Sequence, residues 1–267
     1  MTDLMTVAQL YIYPVKSCRG ISILAGNVVE RGFQHDRRFM IVDEDNVFLT
    51  QRIHPRMALI HTAIECGSLV LSVNNAFSIS VPLSPKTQSL FPATIWHNTV
   101  PATLVSCEAD RLLNEFLGIR CRLVYMPDES RRPVPPEFQH SGEVVSFADG
   151  FPFLLISQES LNDLNNRLSN PLSINRFRPN IVVKGVQPYA EDEWKTIEIG
   201  AVRFRSAKLC DRCSITTVDQ ETGNRSEEPL RTLATFRNRG GKVMFGQNLI
   251  HENMGRINIG DEITILE

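Results

Sequence analysis

Cys210-Asp211-Arg212-Cys213-Ser214-Ile215-Thr216-Thr217-Val218-Asp219 is the stretch on which the reading of this chain turns. Two cysteines stand two residues apart, and Ile-Thr-Thr-Val, a β-branched run that favours a strand, follows them directly. A redox Cys-x-x-Cys normally sits at a helix N-terminus, where the dipole lowers the thiol pKa. A structural zinc site needs four ligands, usually as two such pairs, and no second C-x-x-C or C-x-x-H occurs in the chain. Neither explanation suits the pair. A thiolate presented at the mouth of a strand remains a candidate single soft ligand for a transition metal whose other ligands come from a cofactor.

Working outward, Val202 to Leu209, Trp194 to Ile199 and Asn180 to Lys184 read as strands, as does Phe153 to Ser157. Ser157 caps a helix bearing Leu161, Leu164 and Leu168 on one face, ended by Asn170-Pro171. Pro229 starts a short helix with Leu230, Leu233 and Phe236 inward. Ile257 to Ile265 makes two short strands turning at Gly260-Asp261. Upstream, Arg38 to Val42 and Val47 to Thr50 flank a turn at Asp43-Glu-Asp-Asn. Ala58 to Cys66 and Leu69 to Val73 form a hairpin across Gly67-Ser68. A helix over 107–117 has Ser106 as N-cap and Gly118 as C-cap, and Cys121 to Met126 returns to strand. Pro127-Asp-Glu-Ser-Arg-Arg-Pro-Val-Pro-Pro-Glu137 reads as a solvated interdomain linker. Many short strands with few helices predict a mainly β (α+β) chain of β-barrel-like domains rather than a doubly wound sheet, divided as 1–126 and 127–267.

Composition narrows the function. In 267 residues the formal net charge is -2, with 42% hydrophobic and 22% charged residues, so no global basic field argues for nucleic acid or an anionic membrane. No apolar run approaches the roughly 20 residues needed to span a bilayer. The opening Met-Thr-Asp-Leu-Met-Thr-Val lacks the basic region of a signal peptide. Six irregularly spaced cysteines read as reduced thiols, so the expected setting is cytoplasmic. G-x-G-x-x-G after a strand, G-x-x-x-x-G-K-[ST], G-x-S-x-G and H-E-x-x-H are all missing, which weighs against nucleotide hydrolysis, simple dinucleotide redox and serine hydrolase chemistry. The six histidines show no ligand spacing.

Several scattered groups share one chemistry. Lys16 and Ser17 end the first strand with a cation and a hydroxyl, suited to a phosphate oxygen. Asp36-Arg37-Arg38-Phe39 and Asn175-Arg176-Phe177-Arg178-Pro179-Asn180 place arginines at strand ends, either as solvated cations and hairpin ion pairs or as a bidentate grip on phosphate. Asp149, alone in the apolar Phe147-Ala-Asp-Gly-Phe-Pro152, is either a turn residue or a buried acceptor for ring N–H and amine donors.

With Tyr13-Pro-Val-Lys-Ser17, Asp36-Arg-Arg-Phe39, Ser146-Phe-Ala-Asp149, Phe177-Arg-Pro-Asn180, Tyr189-Ala-Glu-Asp192, Cys210 to Asp219 and Phe245-Gly-Gln247 in this order, the whole chain resembles a family of molybdenum-cofactor proteins. These pair an N-terminal β-barrel domain with a MOSC domain and include the mitochondrial amidoxime reducing components. The resemblance implies molybdopterin-bound molybdenum with Cys213, not Cys210, as metal ligand. It implies that Lys16, Ser17, Arg38 and Arg178 hold the phosphate and pterin, with Asp149, Asn180 and Arg212 completing the pocket. Asp149 is also the implied proton-handling residue. Asn248 and Asp211 stand where some relatives carry tyrosine and serine. The implied activity is two-electron reduction of small N-hydroxylated substrates. Electrons would come from a ferredoxin- or flavodoxin-type donor with its reductase, since neither a Rossmann fingerprint nor a C-x4-C-x2-C run is present. MOSC domains also end the molybdenum cofactor sulfurases, so a non-redox sulfur carrier or cofactor-handling protein is the alternative.

Overall fold

Runs of Val, Ile and Phe alternating with polar residues pair into four sheets in the computed structural model, which describes residues 4–86 and 89–267. The largest sheet runs, in spatial order, Ile263–Ile265, Thr196–Ile199, Val202–Asp211, Lys242–His251, Phe153–Ser157, Ile181–Lys184, Thr6–Ile12 and Ile21–Ile23. Phe153–Ser157 and Ile181–Lys184 pair in parallel, and helix α2 (Gln158–Asn166) lies in the connection between them. The other pairings along this path are antiparallel. Ser157 caps α2 as expected, accepting a hydrogen bond from the Ser160 amide.

The first half builds smaller sheets. Phe39–Val42 pairs with Arg122–Tyr125, which continues to Asn98–Leu104 and Phe91–Ile95. His61–Glu65, Ser68–Val73 and Phe77–Pro82 form an antiparallel meander, so the hairpin across Gly67-Ser68 forms where the sequence places it. Helix α1 (Cys107–Leu117) has Ser106 accepting from the Ala109 amide and Gly118 at φ 72. It closes a core of Phe39, Ile41, Met57, Leu69, Leu71 and Leu113. A separate core joins Leu10, Phe33, Phe153, Ile181, Phe204 and Leu249. Thr6–Ile12 belongs to the large sheet of the second half, and Ala25–Val29 pairs with Gly255–Asn258, so the two halves share strands across position 126. Residues 1–3, the start of the opening segment, lie outside the described residues.

Two expectations are corrected. Ile215-Thr-Thr-Val does not form a strand: Ser214–Thr217 is a 3-10 turn after the strand Val202–Asp211. The Thr216 and Thr217 hydroxyls donate back to the Cys213 and Ser214 carbonyls, at 3.0 and 2.8 Å, and this local bonding displaces a ladder. The segment 127–137 is not a solvated linker, because Ser130, Arg132 and Val134 are buried and Pro133 bridges Val144. The closing strands part after Gly260-Asp261, one pairing with Ala25–Val29 and the other with Thr196–Ile199. Helix α3 (Leu230–Ala234) follows Pro229 as read. No helix among the described residues is long and apolar enough to cross a membrane.

Candidate functional site

Two strand ends and two loops meet at one open cleft lined by residues from both halves of the chain. After Thr6–Ile12 the chain turns through Tyr13 to Ser17, with Ser17 in the left-handed region at φ 64. Arg37 and Arg178, which also line the cleft, have φ 50 and 58. Left-handed backbone is uncommon for residues with a Cβ, and three such positions at one cleft mark backbone strain gathered at a functional surface.

Tyr13 organises the arginines. The Arg178 and Arg37 guanidiniums lie 4.3 and 4.6 Å from its ring centroid, its amide donates to Asp36 at 2.7 Å, and its hydroxyl donates to the Pro179 carbonyl at 3.0 Å. Arg37 Nη1 donates to Asp36 at 2.5 Å and to Asn180 Oδ1 at 3.2 Å. Asn180 is buried, its amide group donating to the Tyr11 carbonyl. Arg178 Nη1 donates to the Cys18 carbonyl at 2.8 Å, whereas Arg178 Nη2 is buried with no partner.

Lys16 is 5% exposed, and its ammonium donates to Asp149 at 2.5 Å and to the Phe147 carbonyl at 3.0 Å. Burial pulls its pKa down to about 8, against the opposing pull of Asp149. Asp149 itself faces the cleft mouth, its side chain 63% exposed. Enclosure alone would raise its pKa. The Lys16 ammonium and its hydrogen bond, then Arg52 and Arg37, outweigh that and hold the carboxyl well below the usual carboxylate range. These cations favour the ionised form of Asp149.

Cys213 occupies the junction between the strand Val202–Asp211 and the following 3-10 turn. Arg52 Nη1 lies 3.7 Å from its Sγ. Arg212 donates to Cys210 Sγ at 3.0 Å and to the Phe177 carbonyl at 2.6 Å, leaving its Nε buried without a partner. Cys210 packs partly against the α2 core and also lines the cleft.

Lys16, Ser17, Asp149, Arg178, Asn180, Arg212 and Cys213 thus come together at one cleft. Arg38 does not. It lines a separate cavity with Arg31 and His35, donating to the Tyr125 hydroxyl, the Met126 carbonyl and Asp128. Arg37 is a left-handed turn residue ahead of the strand Phe39–Val42, its amide tied to the Tyr13 carbonyl, and this turn sends Arg37 rather than its neighbour to the cleft. The reading also missed Arg52, which no motif marks, and Arg132, hidden in the supposed linker. Arg132 is buried and donates to the carbonyls of Ser146, Ala148 and Asp149 at 3.0, 2.5 and 3.0 Å, pinning the loop that carries Asp149. The lining cations are Lys16, Arg37, Arg52, Arg178 and Arg212, against the carboxylates Asp149 and Asp211. A chain of slightly negative net charge concentrates positive charge here, beside two cysteines.

Comparison with known proteins places this geometry. Residues 4–120 match the model of the MOSC N-terminal beta barrel domain, and residues 142–264 match that of the MOSC domain. Mitochondrial amidoxime-reducing component 1 of Mus musculus is 34% identical over 280 residues, covering 98% of this chain and 82% of that protein. The chain belongs to the MOSC family. Its similarity to the amidoxime-reducing components extends to the Homo sapiens protein, 32% identical over 98% of this chain and 83% of that protein. A second branch of MOSC proteins is also similar: molybdenum cofactor sulfurase of Arabidopsis thaliana is 33% identical over 96% of this chain but only 35% of its own length. The expected pair of β-rich domains with few short helices is the architecture of this MOSC protein.

Proposed function

We propose that this MOSC protein is a molybdenum-cofactor-dependent reductase. Its substrates would be amidoximes, hydroxylamines and N-hydroxylated bases. Two electrons and two protons convert the N–OH group to N–H with release of water. The observation that carries the reading is the convergence on one cleft of the Cys213 sulfur and five cationic side chains, in a chain similar along its length to amidoxime-reducing components.

The residues fit a molybdopterin. Such a group presents a phosphate at one end and a metal dithiolene at the other, and when bound it supplies the oxygen-accepting two-electron chemistry. Arg178 Nη2, buried and unpaired, lacks an acceptor that a phosphate oxygen would provide. Lys16, Ser17, Arg37 and Arg178 would hold the anionic end, and Asn180 would fix Arg37. Cys213 as thiolate would be the protein's soft ligand to the metal, while Arg212 would brace the same wall through Phe177. Asp149, ionised and 2.5 Å from the Lys16 ammonium, would accept N–H donors of the pterin and orient Lys16 rather than give up a proton.

Electrons would come from a ferredoxin- or flavodoxin-type donor with its own reductase. The test is direct. Purified protein is analysed for molybdenum and assayed for benzamidoxime reduction with NADPH alone and with a donor chain added. Stoichiometric molybdenum with donor-dependent benzamidine formation is the expected result; metal-free protein inert under both conditions would overturn it. The likeness to the sulfurase supports one second reading, a non-redox sulfur carrier, which would purify without stoichiometric molybdenum and carry persulfide on a cysteine.

A further inference from the structure

Arg52 reaches the cleft from the loop after Thr50, and its guanidinium plane is fixed from several sides. Its Cζ lies 4.2 Å from the Trp96 ring centroid, its Nε donates to Thr50 Oγ1 at 3.3 Å, and its Nη1 lies 3.7 Å from Cys213 Sγ. Its carbonyl accepts from Arg225. Trp96 is locked in turn: its indole N–H donates to Asp149 at 3.2 Å, and the Phe48 ring packs on it at 4.9 Å between centroids. Arg52 lines the cleft, and Trp96, 37% exposed, braces its guanidinium from beside it.

A fixed planar cation beside the metal-ligating cysteine is a stacking surface. We infer that Arg52, backed by Trp96, is the specificity-determining shelf of this site, holding the flat, delocalised head of an amidoxime or a ring N-hydroxylated base beside Cys213. A saturated hydroxylamine has no π-face to lay on it. The inference rests on the proposed reductase activity for its substrate class, but the shelf has its own readout. Trp194, the other tryptophan, is 6% exposed, so a ligand entering the cleft quenches chiefly Trp96.

The test compares wild type with Arg52→Lys, which keeps the charge and loses the plane, and Trp96→Leu, which removes the backing. With reduced methyl viologen as electron source, kcat/KM is measured for benzamidoxime and for N-hydroxypiperidine. The planar-to-saturated ratio should fall about five- to tenfold in both variants, mainly through KM for benzamidoxime. Separately, benzamidoxime is titrated into wild type and Arg52→Lys, the two proteins that keep Trp96, without an electron donor while tryptophan emission is followed at 295 nm excitation. Wild type should quench with an affinity about fivefold or more above that of Arg52→Lys. An unaltered ratio together with equal quenching overturns the shelf. If no N-hydroxylated compound is reduced at all, the proposed function falls and the fluorescence titration alone decides: a difference between the proteins sustains the shelf, and equal or absent quenching removes it.

Discussion

Cys213 and Cys210 are two residues apart on either side of Arg212, yet their surroundings separate them. Both line the cleft, but Cys213 lies beside Arg52, whereas Cys210 also packs against the α2 core and accepts a hydrogen bond from Arg212. Cys213→Ser should abolish reductase activity and bound molybdenum, since a neutral hydroxyl replaces a thiolate; Cys210→Ala should keep part of both, and metal analysis with parallel assays checks the pair. The arginines divide in the same way. Arg178→Ala should weaken cofactor retention roughly ten- to a hundredfold by loss of a charge-assisted contact, whereas Arg38→Ala should leave cofactor content near that of wild type, because Arg38 lies in another cavity. Lys16 adds a pH signature. Its pKa is lowered to about 8, so it is cationic below that pH and neutral above it. Affinity for inorganic phosphate should therefore decline as pH rises through about 8, and titration calorimetry of Lys16→Met should show a flatter profile. Most of these residues were legible because strand-end cations and a lone thiol pair announce their chemistry in sequence. The sequence pointed to Arg38 rather than Arg37 because the left-handed turn that carries Arg37 to the cleft is held by the Tyr13 carbonyl, a long-range contact that no local pattern records.

Short elements decide how firmly those groups are held. The loop 146–150 has no ladder of its own; Arg132 grips its carbonyls, and Lys16 takes the Phe147 carbonyl. Arg132→Ala should leave a cluster of buried carbonyls unsatisfied and destabilise the protein by about 2–5 kcal/mol. Arg132→Lys, which keeps the charge but not the fork, should restore only part of that, as read by urea unfolding midpoints. The Pro- and charge-rich composition of 127–137 concealed this role, because composition reports solvation on average and cannot register one arginine folded inward. Helices were easier to read. Ser106 and Gly118 bracket α1 by local hydrogen bonding alone, and Ser106→Ala should cost about 1 kcal/mol. Gly246 shows a constraint invisible in a one-dimensional pattern: at φ 83 its added Cβ would lie 2.7 Å from Ile156 Cγ1 and 2.9 Å from the Leu155 carbonyl, so a side chain there would part the two central strands.

For the whole molecule, the class of fold followed from counting short strands and turn signals, but the way the halves join did not, since pairing across about 170 residues leaves no mark in local periodicity. The site depends on that joining. Lys16 and Arg52 come from the first half, Cys213 and Arg178 from the second, and the buried Gln51 and Gln220 amides bond each other at 3.0 and 3.3 Å to clasp the Cys213 loop to its neighbour. A donor protein reaching the cationic mouth should associate more slowly as salt rises, so donor-dependent turnover at subsaturating donor should fall with ionic strength; a flat salt profile would show that the cleft charges play no part in the encounter. Thr6–Ile12, flanked by Ile181–Lys184 and also tied to Asp261 and Glu262 near the end of the chain, has a further consequence. Ile21–Ile23 can pair with the far end of this strand as soon as both are made, but its other edge stays open until residues near 184 emerge, and its near end until residues near 262 do. Lys16, four residues past that strand, therefore reaches its final position only after these distant partners have been made.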